Sequence, residues 1–323
     1  MFELTLSPEA AAEAPSSDSF DLIILGGGPA GLTAGLYAAR GLLKTLLIER
    51  GVPGGQAAVT FHIENFPGFA EGISGAELGQ RMHDQARHFG LEFWSAEITG
   101  VSLDGPDKVV TTDKGVFHSR AVILATGAKS NDLGVPGEEQ YKGRGVSYCA
   151  TCDGAFFRDQ TVAVVGGGDS AIDEAIYLTR FAKEVIVIHR RNALRATRIL
   201  QERAKANPKI RFQWDSVVDE IGGGGMVEWV TVRNVKTGEK TKLPVDGVFI
   251  YVGLRPTTEF LAGSVALDAH GHVLANEEME TSVPGVFAAG DLRVKNLRQV
   301  VTACADGAIA AVNADKYLQE QHS

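Results

Sequence analysis

Two cysteines three positions apart, followed at once by an acid, form the most reactive grouping in the chain: Cys149-Ala150-Thr151-Cys152-Asp153-Gly154. Such a pair suits one of three chemistries. It supplies half the ligands of a zinc site, it staples a fold, or it opens and closes as a redox couple. A structural zinc wants four ligands. No second CxxC or nearby CxxH is present, and His118 and His189 have no ligand spacing to the pair, so no metal is expected. A disulfide across so short a loop removes little chain entropy and makes a poor staple. In a redox couple each thiol resolves the mixed disulfide formed by the other, and an acid such as Asp153 can exchange a proton with a departing thiolate. A plain turn acid before Gly154 would look the same, so the pair alone does not decide. The remaining cysteine, Cys304, sits in the helix-like stretch VVTACADGAIAA and reads as a buried, inert thiol.

The elements that must position this chemistry show themselves as a repeat. LIILGGGPAGLTAGLYAARGLLKTLLIER at 22–50 runs in register with VAVVGGGDSAIDEAIYLTRFAKEVIVIHR at 162–190, at a constant offset of 140 residues. Each copy reads as a buried apolar strand, a glycine turn, a helix and a second strand, Thr45 to Ile48 or Val185 to Ile188. The turns follow the G-x-G-x-x-G/A pattern: Gly26, Gly28 and Gly31, with Pro29 and Ala30 between, and then Gly166, Gly168 and Ala171, with Asp169 and Ser170 between. The first glycine permits the turn, the second lets a pyrophosphate approach the backbone, and the third position stays small so that helix packs on strand. The helix N-terminus then offers free N–H groups to phosphate. Ser170 suits either a phosphate contact or a helix cap.

The two copies end differently. Glu49 lies 18 residues after Gly31, where an acid accepts hydrogen bonds from an unphosphorylated ribose. The matching position holds His189, followed by Arg190, Arg191 and, close behind, Arg195. A carboxylate has given way to a cationic cluster that matches a 2′-phosphate. The first turn thus fits FAD or NAD and the second fits NADPH. Arg198 reads as surface. Two further strand-and-turn segments point to a flavin: AVILATGA, with Thr126 and Gly127, and VFAAGD, ending on Asp291, where an acid could bond the ribitol hydroxyls.

Composition sets the limits. A chain of 323 residues, 44% hydrophobic and 22% charged, has the length and apolar content for two domains. A net charge of −9 (31 basic against 40 acidic residues) disfavours a general nucleic-acid binder. No apolar run is long enough to cross a bilayer. Residues 1–19 hold no Lys or Arg and do not read as a secretory signal, so a flexible extension and a cytoplasmic location are expected.

With these pieces together, the sequence resembles the low-molecular-weight thioredoxin reductases of bacteria over residues 20–318. The resemblance is carried by GGGPAG, GGQ at 54–56, ENFPG at 64–68, ATG at 125–127, CATCDG, GGGDSA, HRR and GDLRVKNLRQVVTACADGA at 290–308. It implies an α/β fold of two Rossmann-like dinucleotide-binding domains, with the NADPH domain inserted into a discontinuous FAD domain. The expected segments are 20–128 and 257–323 for FAD, and 129–256 for NADPH and the CxxC. It also implies flavin contacts from Gly55, Gln56, Asn65, Gln299 and Val300, and a homodimer.

The implied activity is thioredoxin-disulfide reduction. Hydride passes from NADPH to FAD, then the electron pair goes to a Cys149–Cys152 disulfide, with Cys152 nearer the flavin and Asp153 as acid and base. After rotation between domains, the dithiol exchanges with oxidised thioredoxin. Arg144 and Phe156 flank the CxxC and are candidates for docking that partner, although Ala155 stands where an aromatic is expected. A flavin oxidase of small dithiols would share the CxxC but would not need the basic cluster. A nucleotide-sensing module would not need an acid beside a redox pair.

Overall fold

The computed structural model describes residues 15–60, 62–261 and 263–321. The chain opens with β1 (Ser19–Leu25), α1 (Pro29–Arg40), β2 (Thr45–Glu49), the short α2 (Gly55–Ala58) and α3 (Gly75–His88). Strands β3 (Glu92–Ser95), β4 (Ile98–Ser102), β5 (Lys108–Thr112), β6 (Gly115–Leu124) and β7 (Ala128–Ser130) follow. A middle stretch carries β8 (Val146–Ser147), α4 (Ala150–Asp153), β9 (Thr161–Gly166), α5 (Asp169–Leu178), β10 (Glu184–Ile188), α6 (Arg198–Ala206) and β11 (Ile210–Gln213). It continues through β12 (Ser216–Gly222), β13 (Trp229–Asn234), β14 (Lys240–Pro244), β15 (Gly247–Tyr251) and β16 (Leu254–Pro256). The chain closes with β17 (Val286–Ala288) and the long α7 (Val300–Glu320).

These elements form two compact units. One is Met1–Lys129 together with Arg255–Ser323, and the other is Ser130–Leu254. Where the chain passes between them, β7 and β16 pair as a two-stranded sheet.

In the first unit, β3, β2, β1 and β6 lie side by side, β5 and β4 extend the sheet, and the late β17 adds to β6. Strands β1, β2, β3, β6 and β17 pair in parallel, while β4 and β5 pair antiparallel. Alternation along β1 sends Leu22 and Ile24 to one face, against α1 and α7, and Ile23 and Leu25 to the other. All four are fully buried, each contributing roughly 1.5–3 kcal/mol of transfer free energy. Helices α1 and α7 meet through small residues. A Cβ on Gly307 would collide with the Ala30 carbonyl oxygen, so only glycine permits that approach.

The second unit is built on a five-stranded parallel sheet in the order β11-β10-β9-β15-β8, with a separate antiparallel sheet of β12, β13 and β14. Val162 and Val164 face a core with α5, whereas Ala163 and Val165 face a core that includes Val230 and Val232 of β13. The fold is α/β with a sheet of mainly parallel strands in each unit, as the repeat implies.

One expectation is corrected. The chain was expected to stay loose through residue 19, yet Ser19 already opens β1, and Ser16 binds Glu92 through its amide (2.8 Å) and its hydroxyl (2.6 Å). Hydrogen bonds from a polar segment to the end of the neighbouring sheet fix it without apolar content. The rest of that extension, 1–14, lies outside the described residues.

Candidate nucleotide and redox sites

The first glycine turn is shaped by close backbone approach. Gly26 has φ of 110° and donates its N–H to Ile48 O at 2.8 Å. A Cβ there would strike the Ala125 carbonyl, and a Cβ on Gly31 would strike the carbonyl of Gly26. Around Gly28, which caps α1, a Cβ would meet nothing within 4 Å. The space a side chain would fill is left free beside an uncapped helix N-terminus headed by Pro29 and Ala30, which is what a diphosphate needs. Glu49 closes the turn: its Oε2 accepts the Gly27 N–H at 2.6 Å and its Oε1 the Gly51 N–H at 2.7 Å. Each oxygen keeps lone pairs for ribose hydroxyls.

Other predicted flavin residues gather in the same unit. Gly54 donates to Gly27 O at 2.8 Å, which ties the segment carrying Gly55 and Gln56 to the turn. Asn65 Nδ2 donates to Gln299 Oε1 at 2.9 Å, although 234 positions separate the two. Gln299 is the N-cap of α7 and Val300 its first residue. Thr126 donates to Thr257 O at 2.7 Å, and the backbone carbonyl of Gly127 accepts from Thr257. Asp291 follows β17 and Gly290. Burial pushes its carboxyl up, against the pull of Lys295 and Arg298. Its Oδ1 is shut off from solvent with no hydrogen-bond partner among the described residues. An orphaned acceptor of this kind fits a missing hydroxyl-bearing ligand, so the residues fit a flavin nucleotide.

The second turn has the same design. Gly166 has φ of 151°, and a Cβ there would strike the Tyr251 carbonyl. Gly168 caps α5, whose first residues are Asp169 and the exposed Ser170. Asp169 Oδ1 accepts the Thr197 N–H at 2.6 Å, and Gly167 O accepts the Arg195 N–H at 2.7 Å. The basic loop is thereby fastened to the turn. His189 is 5% exposed. Burial holds its imidazole down, opposed by a backbone hydrogen bond at Ala193 and aided by Arg195, Arg191 and Arg190. A neutral His189 supports the loop from beneath, while the three exposed arginines supply the charge.

Cys149 is disulfide-bonded and immediately precedes α4. Its N–H donates to Ser147 Oγ at 3.0 Å, and that hydroxyl donates to Cys149 O at 3.2 Å. The Ala150 N–H donates to Tyr251 Oη at 2.8 Å, and the Asp153 N–H to Cys149 O at 3.2 Å. The side chain of Cys152 lies outside the described residues. Near this helix, burial pushes the Tyr251 phenol far up, with Glu174 and Asp153 adding to the shift. Burial first, then Asp173, pushes Glu174 up to about 8. Sequence reasoning missed Ser147, Tyr251 and Glu174. The one available signal was a tyrosine ending the apolar run GVFIY.

Arg144 is exposed and donates to Gln140 O at 2.9 Å, and Phe156 is 79% exposed. Cys304 is a correction. It is half-buried rather than buried, because it borders a cleft that Leu36, Phe66 and Met82 line without filling. Burial still pushes its thiol up, so it remains a poor nucleophile. Among the described residues no group of three or more His, Cys, Asp or Glu is placed to hold a metal ion, and no helix is long and apolar enough to cross a membrane.

Two nucleotide turns and a disulfide at the start of a short helix define a class of oxidoreductase. The chain belongs to the pyridine nucleotide-disulphide oxidoreductase family, whose pattern matches residues 20–307. Within it, the chain is 48% identical over 306 residues to a thioredoxin reductase of Peptoclostridium acidaminophilum, covering 93% of this chain and 97% of that one. It is 50% identical over 303 residues to a thioredoxin reductase of Listeria monocytogenes, covering 93% and 94%. The fold is similar to the crystal structure of Lactococcus lactis thioredoxin reductase in its FR conformation: TM-score 0.92, 49% identity, 93% of this chain and 99% of that one. It is also similar to the thioredoxin reductase of T. acidophilum: TM-score 0.89, 34% identity, 95% and 100%.

Proposed function

We propose that this chain is an NADPH-dependent thioredoxin-disulfide reductase with FAD in its first unit. The observation that carries the reading is a disulfide-bonded Cys149 on the same unit as the arginine-lined nucleotide turn. When bound, FAD supplies the two-electron chemistry between nicotinamide and disulfide.

The chain supplies position and charge. Gly26, Gly28 and Gly31 leave room for the FAD diphosphate at the N-terminus of α1, and Glu49 accepts from its ribose. Gln56, Asn65, Thr126, Gln299 and Val300 border the flavin, and Asp291 accepts from its ribityl hydroxyls. Gly166 and Gly168 with Asp169 and Ser170 receive the NADPH diphosphate, and Arg190, Arg191 and Arg195 hold its 2′-phosphate. Cys149 and Cys152 form the redox couple. Reduction would cleave the S–S bond and take two electrons and two protons to give two thiols: the hydride equivalent from NADPH supplies the electron pair and one proton, and Asp153 would deliver the other to the departing thiolate. The dithiol then reduces the disulfide of thioredoxin by exchange, with Arg144 and Phe156 at the docking surface. Disulfide and nicotinamide ride on one unit, so serving one flavin in turn requires that unit to move. A homodimer, which rests on the family resemblance, and a cytoplasmic location belong to the same reading.

An anaerobic titration of the FAD-loaded protein with NADPH tests it. About two reducing equivalents per flavin support a flavin in electronic contact with the disulfide, and added thioredoxin should then reoxidise the protein. About one equivalent would disconnect the CxxC from the flavin and overturn the proposed electron path.

A further inference from the structure

Behind Asp291 lies a charged group that the proposed function does not use. Asp306, in the second turn of α7, is 7% exposed. Its Oδ2 accepts the Gly290 N–H at 3.0 Å and the Lys295 ammonium at 2.7 Å, and Arg293 Nη1 stands 3.4 Å from both of its oxygens. The two cations are themselves buried, at 8% and 13% side-chain exposure. One acid on α7 therefore gathers the turn before Asp291 and two basic residues after it. Gly290 has φ of 83° and packs so close to Ala30 that a Cβ would stand 2.9 Å from that side chain. The turn has no freedom to shift towards α1. Asp291, pushed up first by burial, feels Lys295 and Arg298 as attractive charges and Asp306 as a weaker repulsive one, and Arg298 reaches back to Asp291 O at 3.5 Å.

We propose that Asp306 is a positioning residue of the flavin site: it fixes the Gly290–Asp291 turn and seats Lys295 beside Asp291, so that Asp291 presents its free Oδ1 as an acceptor to the flavin polyol. The inference rests on the FAD reading above. Without Asp306, the Gly290 amide and two buried cations lose their partner, and Lys295 no longer has a reason to stay near Asp291.

Three variants separate positioning from bulk stability. Asp306→Asn keeps an acceptor for the Gly290 N–H and discards the charge. Asp306→Ala discards both. Asp306→Asn with Lys295→Met also removes the stranded cation. Each is prepared as apoprotein and titrated with FAD by flavin fluorescence, with thermal unfolding and NADP⁺ binding measured alongside. FAD affinity should fall by ~10-fold in Asp306→Asn and by ~100-fold in Asp306→Ala, with NADP⁺ affinity unchanged. The double variant should regain thermal stability without regaining FAD affinity. Full recovery of FAD affinity with stability would make Asp306 merely structural and overturn the proposal, as would wild-type affinity in Asp306→Asn. A wild-type chain that takes up no FAD overturns the functional reading itself, and the inference with it.

Discussion

Glu49 and His189 occupy the same place in the two copies of the repeat, and the contrast between them is the basis for proposing a different nucleotide at each turn. The carboxylate ties down its own turn and keeps lone pairs for hydroxyls. The imidazole is buried and neutral, and hands the charge to Arg190, Arg191 and Arg195. Replacing Arg190 and Arg191 with Ala should raise KM for NADPH by ~10-fold or more and leave that for NADH nearly unchanged. Steady-state kinetics with both nucleotides would show this, and equal losses with the two would refute the assignment. Glu174 gives a prediction of the opposite kind. Its carboxyl is raised from 4.5 to about 8 in the folded protein, so the folded state holds a proton that the unfolded state has lost. The penalty is absent below pH 4.5, grows as pH rises and is complete above pH 8. Glu174→Gln should therefore be more stable than wild type at pH 8.5 and nearly equal to it at pH 4.5, as denaturant unfolding at the two pH values would reveal. The glycine turns and the places of Glu49 and the arginines beside them were legible because they are written in local spacing. Tyr251, Ser147 and Glu174 were not, because their roles arise where β15, β8 and α5 meet around α4, and contact across a sheet leaves no spacing to read.

At the scale of elements, the packing of α7 on α1 decides where Gln299 and Val300, proposed to border the flavin, stand. Gly307 admits the Ala30 carbonyl, and the helix so placed sets Gln299 against Asn65. Gly307→Ala gains helix propensity of roughly 1 kcal/mol, but the clash forces the helices apart at a cost of about 1–3 kcal/mol or more. A net loss of thermal stability is expected, together with weaker FAD retention, because the N-terminus of α7 moves with the helix. An unchanged melting temperature would contradict this account. The sequence made α7 recognisable as a helix but mistook one of its faces. Apolar spacing marks which residues prefer burial, and it does not reveal a cleft between α7 and the segment carrying Phe66, where Cys304 stays half open.

At the scale of the whole molecule, the repeat implied two similar units, and the late VFAAGD segment implied a return to the first. What it could not supply was the second unit's own antiparallel sheet, β12 to β14, because two-faced pairing of short strands depends on partners set by the fold. That unit is one continuous stretch with two hydrophobic cores of its own. Residues 130–254, expressed alone, should unfold cooperatively and bind NADP⁺ without FAD. A fragment that shows no cooperative transition by circular dichroism would mean that the unit depends on the rest of the chain.

The pairing of β17 with β6, and of α7 with α1, also sets an order of events during synthesis. The first unit begins at the N-terminus, yet its sheet lacks a strand and its helical layer lacks a helix until residues 286–320 have been made. The inserted unit is complete at residue 254. On the ribosome the middle of this protein can therefore fold before its beginning is finished, and the first sheet must wait, one strand short and with part of its apolar surface uncovered, for α7 to arrive.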